Sequence, residues 1–518
     1  MFPRWKKRAS EVFMVALFAG LAGCHLQGQH GLEKVRPAGV AGSFYPAEPA
    51  ALTAMMDTML AQVPAETIDG QIVAAVAPHA GYPYSGPVAA YTYAALRGRG
   101  FKRVVVIAPS HYEAFDFTSV YDGDGYATPL GVVPVDRAFI QKLVKMNSSI
   151  QLSERGHKAT AQGAEHALEV QLPWLQRVLG NFTLVPIIMG DQSYESSRAL
   201  GVALAKLIHD EEKARGKETP AREGETLILA SSDLSHYHTY NEAERIDHKT
   251  LGALQVWDYL NMSRNFETRV WEACGGAPIV TAMITAERLG ANDARVLRYA
   301  NSGDTAGDHS RVVGYSADIF VKTPHAKVAE TPFTLTNEEK TELLALARKS
   351  VESAVGQRTR YESGAPNSEL LNQERGAFVT LMEDGDLRGC IGYTSPREPL
   401  YLTVRDTAAF AALRDPRFHP VSALELPKLQ YEISVLSPMK RVLDQNEIQV
   451  GRDGLLMMNG NYEGLLLPQV PIEQGWNRER FLEETCVKAG MKRDCWSSED
   501  TDIFRFTAVV FGEQKAKS

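Results

Sequence analysis

His79 and His111 have the setting in which side chains do chemistry. Each follows an apolar, β-branched run that stops at a proline, VAAVAPHAGYPY over residues 73–84 and VVVIAPSHY over residues 104–112. Such runs form buried parallel strands, whose carboxyl ends are where open α/β sheets place ligand sites. Neutral imidazole is the commonest metal-binding side chain, so histidines at two strand ends can converge on one ion. Cys274, in ACGGAP at 273–278, is the candidate third ligand. It precedes an apolar helix expected from Pro278, and a helix amino terminus lowers a thiol pKa and favours the thiolate. Taken singly, a strand-end histidine more often completes a turn and a cysteine more often fills a core. The repeated strand-Pro-His pattern is what gives the pair its weight. A further cluster, SSDLSHYH at 231–238, follows an apolar run at 226–230. Asp233 and His236 share a face if a helical turn starts there, and can then serve as acid, base or brace; Asp233 equally fits a helix cap.

The elements that must position these residues read as an alternation. Ser85-Gly-Pro can start a helix that carries Val88, Tyr91, Ala95 and Leu96 and stops near Gly98 and Gly100, which makes the two histidine segments one β-α-β unit. Strand-like runs recur at 182–189 and 226–231. Leu168, Leu172, Leu175 and Leu179 form one helical stripe, with Pro173 predicting a kink or a late start. His166 and Glu169 fall three apart on that helix and read as its solvated face. Strand and helix in alternation give an α/β fold with a doubly wound, mostly parallel sheet.

With 518 residues the chain exceeds one ordinary domain. A hydrophobic fraction of 44% and a charged fraction of 23% are those of a globular protein with ample core. The net charge of −8 leaves no basic stripe, which excludes nucleic acid as a partner class. Five cysteines are too few for a disulfide scaffold, although Cys486 and Cys495 can pair in an oxidising compartment.

Residues 323–334, with two prolines, read as a linker. Thr336 and Glu339 then fit a capping box before a helical pattern of Leu343, Leu344, Ala347, Val351 and Ala354. Apolar runs flank Asp384-Gly385 and Asn459-Gly460, both hairpin signatures. Residues 429–436 read as a strand and 400–413 as a helix, so an antiparallel α+β domain is expected over 335–515. Within LRGCIGY at 387–393, Arg388 can clamp a carboxylate or phosphate, Cys390 can react, and the flanking glycines admit a ligand to the backbone. Glycine in a strand also often marks only a bulge.

The stretches GSFYP, VAPHAGYPYSG, IAPSHY, EHALEVQLPWLQ, ASSDLSHYH and ACGGAPI occur in order over residues 35–322 and resemble the Memo family. The resemblance implies a fold similar to class III extradiol dioxygenases and a metal site at His79, His111 and Cys274, with Asp233 and His236 beside it. The dioxygenases use a carboxylate where this chain has cysteine, and a thiolate suits iron(II), copper or zinc. The segments LRGCIGY, DPRFHP, EISVLSP and GLLLPQV resemble the AMMECR1 family, for which no reaction is implied. In bacteria, members of both families resemble components of one system that includes a radical-SAM protein, a candidate partner. Two function classes follow. One is a metal-dependent oxidoreductase, in which an open coordination position takes substrate or dioxygen and His236 with Asp233 moves protons. The other is a non-catalytic module that holds an ion, a small molecule or a peptide.

At the amino terminus Arg4, Lys6, Lys7 and Arg8 precede an apolar stretch at 12–21, too short to span a bilayer, so residues 1–24 read as an export signal. Leu21-Ala-Gly-Cys24 resembles a bacterial lipobox. That implies lipidation at Cys24 and anchoring to a membrane of the cell envelope.

Overall fold

The computed structural model describes residues 32–160, 163–214, 225–324 and 334–513. The segment read as an export signal, with Cys24, and most of the expected linker lie outside them. The first domain is built on strands β1 (Gln71–Ala77), β2 (Arg103–Pro109), β3 (Thr183–Met189), β4 (Thr226–Ser231) and β5 (Val312–Lys322). Its main helices are α1 (Tyr82–Leu96), α2 (Gln171–Leu179), α3 (Tyr194–Ala214) and α4 (Gly276–Arg288). In the nine-stranded sheet the order runs β5-β1-β4-β2-β3 and continues through Thr118–Tyr121 to Ile150–Ser153.

The four central strands are parallel, with Ala230 beside both Val76 and Ile107. The flanking strands β5 and Thr118–Tyr121 run antiparallel, so the parallel character expected of the sheet belongs to its centre. Central strands are covered on both faces, which is why β1, β2 and β3 are apolar almost without interruption and buried from their second residue on. Because β4 lies between β1 and β2, the sheet order places the loop after β4 between the two strand-end histidines.

One helix start differs from the local expectation, and a second takes the late start that Pro173 left open. Helix α1 begins at Tyr82, with Pro83 in its first turn, rather than at Ser85. Helix α2 begins only at Gln171, with Pro173 in its first turn. His166 and Glu169 therefore lie in the turns before the helix, and neither is solvated: Glu169 is fully buried and His166 nearly so. A salt bridge from Arg36, with the hydroxyl of Tyr45 and the backbone N–H groups of Gly39 and Val40, satisfies the Glu169 carboxylate and pins this segment inside the domain.

The second domain opens with α5 (Asn337–Glu352), capped reciprocally by Thr336 and Glu339 as expected. It continues through β6 (Ala377–Glu383), β7 (Asp386–Tyr393), α6 (Leu400–Leu413), β8 (Leu429–Leu436), β9 (Asp453–Asn459), β10 (Tyr462–Leu466), α7 (Arg478–Lys488) and β11 (Asp502–Gly512). Its sheet is antiparallel throughout, in the order β7-β6-β8-β11-β9-β10. Asp384 and Gly385, at φ 55° and 96°, make the β6–β7 turn. The β9–β10 loop is Gly460-Asn461, one residue later than expected, since Asn459 pairs with Tyr462. Cys486 and Cys495 are disulfide-bonded.

The two domains share a core. Met439, Leu456, Phe504 and Phe506 belong to the same apolar cluster as Tyr259, Leu260 and Met283. Beside it the buried carboxylate of Asp502 receives Arg198 and Arg288 from the first domain and Arg441 from its own.

Candidate metal centre

The carboxyl ends of β1, β2 and β4 and the turn before α4 converge on one point. Among the described residues, the ring nitrogens of His79, His111 and His166 all lie within 4.8 Å of one another. The His111 and His166 rings stack at 4.7 Å, and His79 meets both edge-on, at 5.2 and 5.4 Å. The Cys274 sulfur is 3.0 Å from His79 Nε2. The structure thus brings His79 and His111 together with His166, which the helical reading had turned to solvent, and sets the Cys274 thiol against His79.

Hydrogen bonds fix which nitrogen of each ring faces inward. The Ser231 hydroxyl donates its one proton to the Ala167 carbonyl at 2.6 Å, so its lone pairs accept from Gln171 Nε2 at 2.7 Å and from His79 Nδ1 at 2.9 Å. His79 is then protonated at Nδ1, and its Nε2 lone pair points at the thiol. His111 repeats the device: its Nδ1 donates to Glu165 Oε1 at 3.0 Å and its backbone N–H to Glu165 Oε2 at 2.6 Å, leaving Nε2 inward. A carboxylate behind a ligating imidazole fixes its tautomer and raises its basicity. Glu165 escaped sequence reasoning; its one local signal was a carboxylate directly before a histidine in EHALEV.

Charges at the site follow from burial. Burial, reinforced by the neighbouring histidines, holds the His79 pKa well below its usual value, and burial brings that of His166 to about 4. Burial also acts to lower the His111 pKa, but Glu165 outweighs it and leaves it raised. The Cys274 thiol is pushed up by burial and then by Asp233. This corrects the expectation of a helix-lowered thiol pKa: the turn is buried, and desolvation exceeds the helix-end effect.

Asp233 and His236 do not share a helical turn. Asp233 lies in an extended loop and accepts from the N–H groups of His79 at 2.7 Å and Ala80 at 3.3 Å. Its Oδ2 is 4.0 Å from His79 Nε2, and burial raises its pKa to about 7. His236 begins a short strand on the edge of β5, with Nδ1 on the Leu234 carbonyl. Burial lowers its pKa. Gly275 permits this assembly, because a Cβ there would lie 2.3 Å from the Ser231 carbonyl.

In the second domain the candidate residues are already engaged. Arg388 pairs through Nε with Glu425 at 2.7 Å and donates from Nη1 to the His419 carbonyl at 3.0 Å, so part of its guanidinium is engaged by protein. The Cys390 sulfur accepts from the Thr380 hydroxyl, and burial raises its pKa. The neighbouring glycines serve packing: a Cβ at Gly389 would lie 2.2 Å from the Ala411 carbonyl of α6, and one at Gly392 would strike the Phe378 ring.

Residues 36–319 match the family model described as Memo-like protein, and residues 344–511 match that described as AMMECR1. A MEMO1 family protein of Methanopyrus kandleri is 33% identical over 295 residues, 55% of this chain and 98% of that protein. One of Sulfolobus acidocaldarius is 36% identical over 298 residues, 55% of this chain and 99% of that protein. An uncharacterized protein of Pyrococcus horikoshii, with a solved structure, is 41% identical, covers 35% of this chain and 95% of its own, and superposes with a TM-score of 0.34.

Proposed function

Because the chain belongs to the family of Memo-like proteins and joins to that domain an AMMECR1 domain, we propose that it is a metal-binding protein whose ion is held by His79, His111 and Cys274, with His166 as a further donor. The observation that supports this is the convergence of one ring nitrogen each from His79, His111 and His166 within 4.8 Å, with His79 Nε2 3.0 Å from the Cys274 sulfur. The donor set fits an ion. The imidazoles of His79 and His166 are kept neutral, as ligands must be, and His166 Nδ1 is a buried nitrogen with no hydrogen-bond partner among the described residues. A mixed imidazole and thiolate set suits iron(II), copper or zinc. Iron or copper would supply one-electron chemistry at the site, which makes the oxidoreductase reading the one we favour. In it Asp233, with a pKa near 7, holds or releases a proton beside His79, and His236 does so from the edge of the sheet. Tyr112 and Tyr237, next in sequence to His111 and His236, are more than half exposed and offer aromatic surface to a small molecule or peptide.

The test is metal content. His111→Ala is expected to lower bound metal well below stoichiometric with the fold intact, and full retention would overturn the ligand assignment. We propose further that Cys24 is lipidated and anchors the chain to a membrane of the cell envelope. No helix among the described residues is long and apolar enough to cross one. Cys24→Ser should abolish acyl labelling, and a labelled variant would overturn the anchor.

A further inference from the structure

Cys274 ends a segment that the second domain grips. Arg264, on a helix at Tyr259–Glu267, donates to Thr394 and Ser395 at 3.3 Å each and to Glu463 at 2.7 Å. The Asn265 amide donates to the Pro396 carbonyl at 3.2 Å. Three residues before the thiol, the Trp271 indole N–H donates to Glu374 Oε2 at 3.1 Å, and the other oxygen of Glu374 pairs with Lys249. Trp271 is 4% exposed and the Glu374 side chain 12%, so these bonds are formed away from water. Glu374 is itself tied to its own domain by a backbone bridge to Pro399. From Trp271 the chain has little slack: Glu272 accepts from His236 N and His238 Nε2, and Cys274 N donates to the Asp233 carbonyl. The sulfur then meets His79 Nε2.

We infer that Glu374 of the second domain is a positioning residue for the metal centre of the first: by holding Trp271 it sets where the Cys274 sulfur stands against His79. The metal half of this inference rests on the reading proposed above, and its geometric half stands without it. The short path is the reason. The indole and the thiol are separated by two residues, so releasing the indole removes one of the few holds on the segment that carries the thiol and leaves those of Glu272 and the Cys274 N–H. The two domains, which in the relatives' matches occur as separate lengths of chain, then form one functional unit here.

The test uses the full chain with Glu374→Ala, Glu374→Gln and Trp271→Phe. In the metal-free protein, site-resolved mass spectrometry follows iodoacetamide labelling of Cys274, with Cys390 as the internal reference. Glu374→Ala should speed Cys274 labelling about tenfold, the change in local opening expected when one buried hydrogen bond to a charged group is lost. Cys390 should not change. Glu374→Gln keeps an oxygen for the indole and should label like the wild type. In cobalt(II)-loaded protein, Glu374→Ala should lose thiolate-to-metal charge-transfer absorption per bound cobalt, which a purely structural contact would not move. A Glu374→Ala chain that melts like the wild type and keeps both the labelling rate and the absorption overturns the inference. If that variant does not fold, Trp271→Phe, which removes the N–H donor together with part of the ring, decides in the same way. A wild type that takes up no cobalt overturns the metal reading, and the labelling arm still decides the positioning role.

Discussion

The strand-end cluster of the first domain and the LRGCIGY strand of the second offer the same materials, a thiol beside basic side chains, and differ in what the protein has already paired. Around His79 and His111 one ring nitrogen each is satisfied by Ser231 and Glu165, while the histidines converge within 4.8 Å and His79 Nε2 faces the thiol. His166 Nδ1 has no hydrogen-bond partner at all among the described residues. Around Arg388 and Cys390 protein partners engage two guanidinium nitrogens, the sulfur and the Cys390 N–H: Glu425, the His419 carbonyl, Thr380 and Asp415. Buried polar groups are ordinarily satisfied, so an unsatisfied convergence marks a place built for something else. The difference separates a site from a well-made strand.

The sharpest break in this comparison comes from the ligands themselves. His79→Ala should abolish stoichiometric metal binding, measured by metal content after gel filtration. Next in size is the carboxylate behind a ligand. Glu165→Ala should weaken metal binding about 10- to 100-fold by competition titration, since groups that orient a ligating imidazole are worth that much. The smallest effect belongs to the Arg388–Glu425 pair. Arg388→Ala should leave metal binding unchanged and cost about 1 kcal/mol of stability in thermal melts, as expected for a partly exposed ion pair. That cost should depend on pH. Arg388 holds the Glu425 pKa down to about 2 against an ordinary 4.5, so the stabilisation is complete above pH 4.5 and lost as the pH falls through 2. The melting difference between Arg388→Ala and wild type should close over that range. Metal loss in Arg388→Ala would erase the distinction between the two regions.

Much of the framework was legible because central parallel strands are written as apolar runs. Arg103–Pro109 and Thr226–Ser231 fall where the sequence places them, and the capping box at Thr336 and Glu339 forms as spaced. The site was half legible. His79, His111 and Cys274 are adjacent to elements whose ends the sequence marks. Pro173 left a late start of α2 open, but the burial of His166 and Glu165 was hidden, because the segment before the helix is held inside by the Arg36–Glu169 pair, 133 residues apart in the chain. No local periodicity reports a partner at that distance. The pairing of Arg388 was invisible for the same reason, since Glu425 lies 37 residues away on a different element. The grip of the second domain on Trp271 is likewise a fact of packing alone.

The account rests most directly on metal content. Elemental analysis with spin-resonance spectroscopy on the mature chain, purified without affinity-tag histidines, should find iron or copper near one per chain in the wild type and much less in Cys274→Ala. A wild-type chain that is empty and refuses added iron, copper and zinc would contradict it, and would leave the strand-end histidines as structural residues.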